Sequence, residues 1–247
     1  MQTSGNTVLI TGATSGIGLA FAEEFYKLGN KVIICGRRRI RLSEIEEKYP
    51  GMVTWACDVA VAEERVKLYY WILKFHPETN ILINNAGIQL VTDLTQPVNL
   101  DRVRAETETN FIAPIHLSSL FAQHLATKTE AAVINISSGL AFVPIAFMPV
   151  YCATKAAIHS LTLSLRYQLR KTSVKVFEIA PPSVDTELGH DRREDKTQTH
   201  GGMPISEFIT EAMDAIKDDT FDAPIAMAKH LKSKGEEMFE PMNGRFG

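Results

Sequence analysis

The chain has few cysteines and no excess of basic residues. Its three cysteines, Cys35, Cys57 and Cys152, are too scattered for a disulfide framework or a zinc site and are typical of a reducing compartment. A formal net charge of −3 over 247 residues offers no positive surface of the kind that nucleic acid or an anionic membrane attracts. We therefore expect a cytoplasmic protein whose partners include neither nucleic acid nor a membrane.

Long hydrophobic runs are also missing. The longest apolar segment, 140–150, is too short to span a bilayer and is interrupted by proline. The first residues lack the charged and apolar stretches of a secretion signal. The seven histidines show neither HxxxH nor HExxH spacing, so no metal is predicted. Apolar residues nevertheless make up 45% of the chain, which is enough for a sizeable core.

Short apolar runs alternate with segments of helical periodicity. The runs are 7–11, 31–35, 52–56, 81–83, 131–136 and 174–179. Alternation of strands and helices predicts a parallel sheet, and strands that are apolar throughout fit a sheet covered on both sides. We predict an α/β fold, a doubly wound Rossmann-type sheet in a three-layer αβα sandwich, forming one domain over 1–247.

The last quarter of the chain, from about 187 to 247, has a different character. Residues 188–203 are polar and include Gly201-Gly202, a pattern that predicts a mobile substrate loop. Residues 206–217 predict a helix with Ser206 as its N-cap, and helical segments are expected to follow up to the end.

A glycine-rich turn follows the first predicted strand. The segment TGATSGIG runs from Thr11 to Gly18 and leads into a helix. Small residues let the backbone approach a phosphate there, and the N-terminus of a helix favours negative charge. Such a turn is often only a tight turn, but its place at the first strand–helix junction favours nucleotide binding.

Basic residues end the second predicted strand. Arg37 and Arg38 lie about twenty residues beyond the glycines, where a reader of the ribose 2′-hydroxyl would be Asp or Glu. An arginine instead accommodates a 2′-phosphate through bidentate hydrogen bonds. The residues therefore favour NADP(H) over NAD(H), although a solvated start to a surface helix would give the same pattern.

Three further motifs carry polar side chains after strands or on a helix. In YCATK, Tyr151 and Lys155 are four residues apart, so they share one helix face, and a cation beside a phenol favours the phenolate. The turn Asn84-Asn85-Ala86-Gly87 follows the fourth strand, and the Ser137-Ser138 pair follows the fifth. Ligands of open α/β sheets bind beyond these strand ends, although Asn and Ser there could serve only the turns.

Together these motifs resemble the single-domain short-chain dehydrogenases/reductases over about residues 5–187. TGATSGIG, NNAG, Asn110 in ETNF, Ser138, YCATK and PPSVDT (Pro181–Thr186) occur in the order and at the spacings of that family. The segment around YCATK, with APPSVDT and a late FEPMN, is similar to the bacterial DltE-like oxidoreductase branch.

The resemblance implies a hydride transfer between a nicotinamide cofactor and a carbonyl or secondary alcohol, with a small molecule as substrate. Tyr151 would exchange the proton, Lys155 would assist it and bind the nicotinamide ribose, Ser138 would polarise the carbonyl, and Asn110 would hold a water linking Lys155 to solvent. The implied cofactor-binding residues are Gly12, Thr14, Ser15, Gly16, Ile17, Gly18, Arg37, Arg38, Asp58, Val59, Asn85, Ala86, Gly87, Tyr151, Lys155, Val184 and Thr186.

Two departures from the family pattern affect these expectations. Pro181-Pro182 stands where the family usually has Pro-Gly, so the loop into the nicotinamide site is expected to take its own path. The C-terminus lacks the family's strand and Asp-Gly-Gly tail, which puts tetramer formation in doubt. A homodimer or homotetramer is expected, the dimer through the helices that carry Asn110 and Tyr151.

The leading interpretation is an NADP(H)-dependent oxidoreductase with a Ser-Tyr-Lys-Asn mechanism. An alcohol dehydrogenase of the same family that uses NAD(H) is one alternative. The other is a redox sensor that binds the dinucleotide without turnover, which would have no need of Ser138.

Overall fold

The computed structural model describes residues 1–188 and 201–244. Its centre is a seven-stranded sheet of order β3-β2-β1-β4-β5-β6-β7, with every pair parallel. The strands are β1 Thr7–Thr11, β2 Lys31–Gly36, β3 Val53–Ala56, β4 Ile81–Asn84, β5 Ala131–Ile136, β6 Val174–Ala180 and β7 Asp222–Pro224. The predicted doubly wound α/β fold is confirmed.

Helices cover both faces of this sheet. They are α1 Gly16–Lys27, α2 Arg39–Lys48, α3 Ala62–Phe75, α4 Leu100–Thr107, α5 Ala113–Ala126, α6 Pro149–Leu169, α7 Ile205–Lys217, α8 Met227–Lys234 and α9 Phe239–Asn243. A π-helical turn, Glu108–Ile112, joins α4 to α5, and short 3₁₀ helices occupy Gly139–Ala141 and Gly235–Met238. Among the described helices, none is both long and apolar enough to cross a membrane.

The core forms two apolar layers, one on each face of the sheet. Alternate residues of a strand point to opposite faces, so Val8 and Ile10 belong to one layer and Leu9 to the other. The first layer includes Phe21 and Phe208, whose rings meet edge to face at 6.3 Å. Burial on both sides explains why the central residues of β1 and β2 are apolar.

One row across the sheet breaks this apolar pattern. In register, Asn84 pairs with Asn135, Asn135 with Glu178, and Glu178 with Asp222, across β4, β5, β6 and β7. The first three of these side chains are buried. We call these four residues the polar row.

The order of the strands places a cleft at one edge of the sheet. The chain winds outward from β1 to β2 and β3, then returns to β4 beside β1 and continues to β7. Connections therefore diverge between β1 and β4, and the cleft at their carboxyl ends is where open α/β sheets bind ligands. The turns after β1, β4 and β5 all open into this region.

Three expectations about the last quarter of the chain need correction or restriction. The stretch after α7 was expected to be helical up to the end, but it includes the strand β7, which pairs with β6. Helix α7 begins at Ile205 with Pro204 as N-cap, so the prediction of Ser206 as N-cap was wrong. The Ser206 carbonyl instead accepts a hydrogen bond from the Thr210 hydroxyl inside the helix. Of the predicted loop, residues 189–200 lie outside the described residues, while Met203 forms a bridge with Val184.

Candidate active site and cofactor cleft

The glycine-rich turn approaches the turn after β4 very closely. Gly12 has φ +65°, and a Cβ added there would lie 2.6 Å from the Cα of Ala86, so no larger residue fits. The Thr11 hydroxyl accepts hydrogen bonds from the backbone N–H groups of Asn85 and Ala86, both at 3.1 Å. The Asn85 side-chain amide donates back to the carbonyls of Thr11 and Gly12. The two turns thus form one unit.

Helix α1 starts at the end of this turn. Ser15 precedes its first residue, Gly16, and Gly18 follows in the first turn, packed against the Gly12 carbonyl and Asn85. The first backbone N–H groups of a helix have no partner within it and carry partial positive charge. With the small residues of the turn, they make a surface that fits a dinucleotide pyrophosphate.

Arg38 is the basic residue that touches the glycine-rich turn. Its guanidinium donates to the Thr14 hydroxyl at 2.8 and 3.0 Å and to the Ser15 hydroxyl at 2.5 Å. It also donates to the Glu187 carboxylate at 2.7 Å, and this hydrogen bond lowers the pKa of Glu187. Arg37 is exposed and lines a shallow surface with Arg38 and the start of α2.

Asp58 and Val59 follow the end of β3, next to β2. The Asp58 backbone N–H donates to the Glu64 carboxylate at 2.6 Å, and its side chain accepts from the Ala60 N–H. Val59 is buried, and its carbonyl accepts from Arg65. Both residues lie at the same edge of the sheet as Arg38, since β2 and β3 are parallel neighbours.

Tyr151 and Lys155 lie together on the first turns of α6, and both are buried. The Lys155 Nζ is 5.7 Å from the centroid of the Tyr151 ring and donates to the Ile136 carbonyl at 2.8 Å. Burial lowers the pKa of Lys155 to about 8, although the charge of Glu178 raises it. The lysine therefore titrates close to physiological pH.

Asn110 lies in the π-helical turn between α4 and α5. Its side-chain amide accepts from the Ile88 N–H and donates to the Ile88 carbonyl, both at 2.8 Å, and also donates to Thr154 on α6. A Cβ added to Gly87 would lie 3.5 Å from Asn110 Oδ1 and 3.7 Å from Lys155 Nζ. The π turn, a feature frequent at functional sites, thus brings Asn110 to the lysine.

Ser138 ends the loop after β5. Its Oγ accepts from the Leu140 N–H at 3.1 Å, and the hydroxyl hydrogen remains able to donate. The next residue, Gly139, donates its N–H to the Pro181 carbonyl at 2.8 Å, so the first proline of the unusual Pro-Pro pair fixes this loop. Beyond that pair, Thr186 lies 3.4 Å from the position of a Cβ added to Gly16.

An apolar wall borders Tyr151. Its buried members are Ile145, Met148, Tyr151 and Cys152, with Leu140, Phe147 and Met242 packed against them. Burial raises the pKa of the Cys152 thiol, which suits a packing residue more than a nucleophile. Asn243 on α9 donates to the Pro144 carbonyl at 3.1 Å and accepts from the Ala146 N–H at 2.6 Å. The C-terminal helix therefore holds the wall.

A search with family models matches residues 6–197 to the short chain dehydrogenase family. The chain belongs to this family. The protein is 45% identical over 250 residues to the oxidoreductase DltE of Bacillus subtilis (strain 168), covering 98% of each chain. It is 31% identical to serine 3-dehydrogenase of Rhizobium radiobacter, covering 97% of this chain and 95% of the relative.

The solved structures agree with this assignment. A short-chain dehydrogenase from Sphingobium yanoikuyae, in complex with NADPH, is 25% identical and superposes with a TM-score of 0.79. The superposition covers 89% of this chain and 87% of that one. The protein therefore has the Rossmann-type fold of the short-chain dehydrogenase family. Its similarity to DltE confirms the predicted resemblance to the DltE-like branch.

The structure of this short-chain dehydrogenase also adds buried carboxyl groups that the sequence analysis missed. Glu106 is fully buried one helical turn before Asn110, and it accepts from the Leu90 N–H at 2.9 Å. Burial raises the pKa of Glu106. Glu178 is fully buried within β6. One of its carboxylate oxygens, a ring nitrogen of His159 and a carboxylate oxygen of Asp222 all lie within 4.8 Å of one another. The detectable signal for Glu178 was a charged residue inside an apolar strand.

Proposed function

We propose that the protein is an NADP(H)-dependent oxidoreductase acting on a carbonyl or secondary alcohol. The observation that carries this proposal is the buried pair of Tyr151 and Lys155, with Nζ 5.7 Å from the ring centroid at the carboxyl end of β5. A buried phenol beside a buried ammonium suits proton transfer more than the stability of a helix, because desolvating a lysine is costly.

The bound nicotinamide cofactor would supply or accept the hydride at the substrate carbon. In the direction of reduction, Tyr151 gives its hydroxyl proton to the carbonyl oxygen. The Lys155 ammonium stabilises the phenolate that this transfer leaves. Ser138, whose hydroxyl hydrogen is able to donate, polarises the same carbonyl in the manner of an oxyanion-hole donor.

Asn110 completes the proposed catalytic set. Because its amide binds both polar groups of Ile88, it fixes the backbone that runs past Lys155. We assign it the holding of a water through which the lysine exchanges protons with solvent. This role accounts for a polar side chain buried in an irregular helical turn.

The preference for NADP(H) rests on Arg38, with Arg37 as its neighbour. The guanidinium of Arg38 donates to the hydroxyls of Thr14 and Ser15 and to an anion, the Glu187 carboxylate. A 2′-phosphate placed against the same guanidinium would make charge-assisted hydrogen bonds of the same kind. Asp58 and Val59 would contact the adenine, and Asn85, Ala86 and Gly87 its ribose.

The remaining assignments follow from position. Gly12, Gly16, Ile17 and Gly18 would surround the pyrophosphate, and Val184 and Thr186 would meet the nicotinamide carboxamide. The apolar wall next to Tyr151 favours a substrate with an apolar part. Exposed apolar side chains on α6, Leu163 and Tyr167, support a homodimer through this helix, which light scattering on the purified protein would test.

The test begins with fluorescence titrations of NADPH and NADH. Carbonyl compounds are then added to the tighter complex, and serine with oxidised cofactor is included because a relative is named serine 3-dehydrogenase. We expect oxidation of NADPH, followed at 340 nm, by at least one carbonyl compound. Tight binding without turnover over the whole panel would favour the redox sensor.

The variant Tyr151→Phe decides the assignment of the acid. It should lower turnover by at least about 100-fold, the usual contribution of a positioned acid, and leave the Kd for NADPH within a few-fold. Tyr70→Phe, which changes an exposed tyrosine on α3 away from the cleft, is the matched control and should keep full activity. Similar turnover by Tyr151→Phe and the unmodified protein would show that Tyr151 is not the acid.

A further inference from the structure

The polar row runs beneath the candidate active site. Its amides form a chain in which Asn84 donates to Asn135 at 2.9 Å, and Asn135 donates to Thr162 on α6 at 2.9 Å. Glu178 stands next in the row and is fully buried. A buried ionised carboxylate is costly unless nearby positive charges and hydrogen bonds compensate it.

Part of this compensation comes from helices α6 and α8. Nδ1 of His159 lies 2.6 Å from one Glu178 oxygen, and Lys232 forms an ion pair with Asp222, the next residue of the row. The other Glu178 oxygen is buried and accepts no hydrogen bond from the described residues.

Lys155 is a buried cation on α6, the helix whose His159 contacts this carboxylate. Tyr151, Lys155 and His159 follow one another at intervals of four residues, so they lie along one face of α6. The Lys155 ammonium donates a hydrogen bond to the carbonyl of Ile136 on β5. The residue before Ile136 is Asn135, which pairs in register with Glu178 on β6. The histidine that holds Glu178 is thus one helical turn from the lysine.

The polar and charged groups around this pair come from six elements. Around Lys155, its own helix contributes Tyr151, and β6 contributes the charge of Glu178. Strand β5 contributes a backbone carbonyl, and the π turn contributes the neutral amide of Asn110. The groups near Glu178 are His159 on α6, Asp222 on β7 and Lys232 on α8. The negative charge of Glu178 raises the pKa of Lys155 against the effect of burial.

We propose that Glu178 is a positioning residue which keeps the buried Lys155 side chain in its charged form, while His159 holds the carboxylate in place. The charge on Lys155 stands independently of the reaction, and only its effect on turnover rests on the proposed function. His159 and Glu178 would thus join Tyr151 and Lys155 in one chain of polar groups along α6.

The direction of the effect follows from two opposing influences. Burial lowers the pKa of Lys155 to about 8, and the negative charge of Glu178 raises it. Removing this charge leaves burial unopposed, so the lysine loses its proton at a lower pH. At neutral pH a larger share of the molecules would then hold a neutral amine, which cannot stabilise the Tyr151 phenolate.

The charge of Lys155 can be read without any reaction. The protein is labelled with ¹³C-lysine, and the Cε resonance of Lys155 is identified by its loss in Lys155→Arg and followed against pH. Glu178→Gln, which keeps the side-chain shape, should lower the titration midpoint by about one unit. Asp222→Asn is the matched control, because it removes a carboxylate one strand farther from α6 and should move the midpoint by much less.

Thermal melts verify that each variant folds. If Glu178→Gln does not fold, Glu178→Met, which also removes the charge, takes its place. Equal midpoints in the unmodified protein and the Glu178 variant would overturn the proposal. So would an equal shift in Asp222→Asn, since the effect would then not belong to Glu178.

A second arm measures kcat/KM for carbonyl reduction against pH. The alkaline limb of the profile should move downward by the same amount as the NMR midpoint. An unmoved limb would overturn the positioning role. Absence of turnover in the unmodified protein, together with a shifted midpoint, would refute the proposed function and leave the assignment of Lys155's charge to Glu178 standing.

Discussion

Replacing Arg38 with alanine separates the two cofactors most directly. Arg38 is the guanidinium bonded to Thr14, Ser15 and Glu187, so it lies where a 2′-phosphate would reach the glycine-rich turn. A hydrogen bond to a charged group contributes about 1.5–3 kcal/mol. Its loss should weaken NADPH binding by about 10- to 150-fold, because each 1.4 kcal/mol is a factor of ten.

NADH provides the internal comparison in this experiment. It has no 2′-phosphate, so Arg38→Ala can weaken it only through looser packing of Thr14 and Ser15, an effect of a few-fold. The ratio of the two Kd values, measured by fluorescence titration at fixed ionic strength, is therefore the decisive quantity. The salt concentration must be fixed, since screening weakens exposed charge pairs.

Two neighbours serve as controls on the same basic surface. Arg39→Ala removes an equal charge from the start of α2 and should change the ratio little. Arg37→Ala measures how far the adjacent exposed arginine shares the phosphate. If Arg38→Ala weakens NADPH and NADH by the same factor, the 2′-phosphate assignment is wrong and Arg38 serves only to order the turn.

Two further predictions concern charges within and beside the cleft. Glu187→Gln should lower the Kd for NADPH about two- to five-fold and leave the Kd for NADH unchanged, both measured by fluorescence titration. The reason is that the exposed ion pair between Glu187 and Arg38, worth up to about 1 kcal/mol, no longer competes with the phosphate. An equal decrease of both Kd values would contradict this prediction. Lys155→Met should abolish turnover yet raise the melting temperature at pH 7. Burial lowers the folded-state pKa of Lys155 to about 8. Below pH 8 the charged lysine therefore reduces the free energy of unfolding by about 3 kcal/mol. This penalty becomes smaller as the pH rises from 8 to the unfolded-state pKa. If denaturant melts at pH 7 show that Lys155→Met is no more stable than the unmodified protein, this prediction is refuted.

The sequence was sufficient for the strands whose residues are mostly apolar. β1 and β5 have the predicted bounds, because a strand buried on both faces admits few polar residues. β7 was not predicted: its three residues, Asp222–Pro224, include an acid and a proline, and only pairing with β6 makes them a strand. Helix α8 is basic and short, so its periodicity gave no signal.

The candidate site divides in the same way. Motifs of fixed local spacing, such as the glycine-rich turn and YCATK, predicted residues that the fold brings to one cleft. Contacts between distant segments had no local pattern: Glu187 meets Arg38 across 149 positions, and Asn243 meets Ala146 across 97. Such pairs depend on how the loops after β6 and the last helices return to the sheet, which periodicity does not encode.

The burial of the polar row and Lys155 inside the protein is a feature that stability alone would not explain. Apolar side chains would pack the face of β5 and β6 without any cost of desolvation, yet Asn135, Glu178 and Lys155 lie buried there. A glutamate inside an apolar strand, aligned with a histidine four residues beyond the YxxxK lysine, is therefore a pattern by which this arrangement can be sought in other sequences.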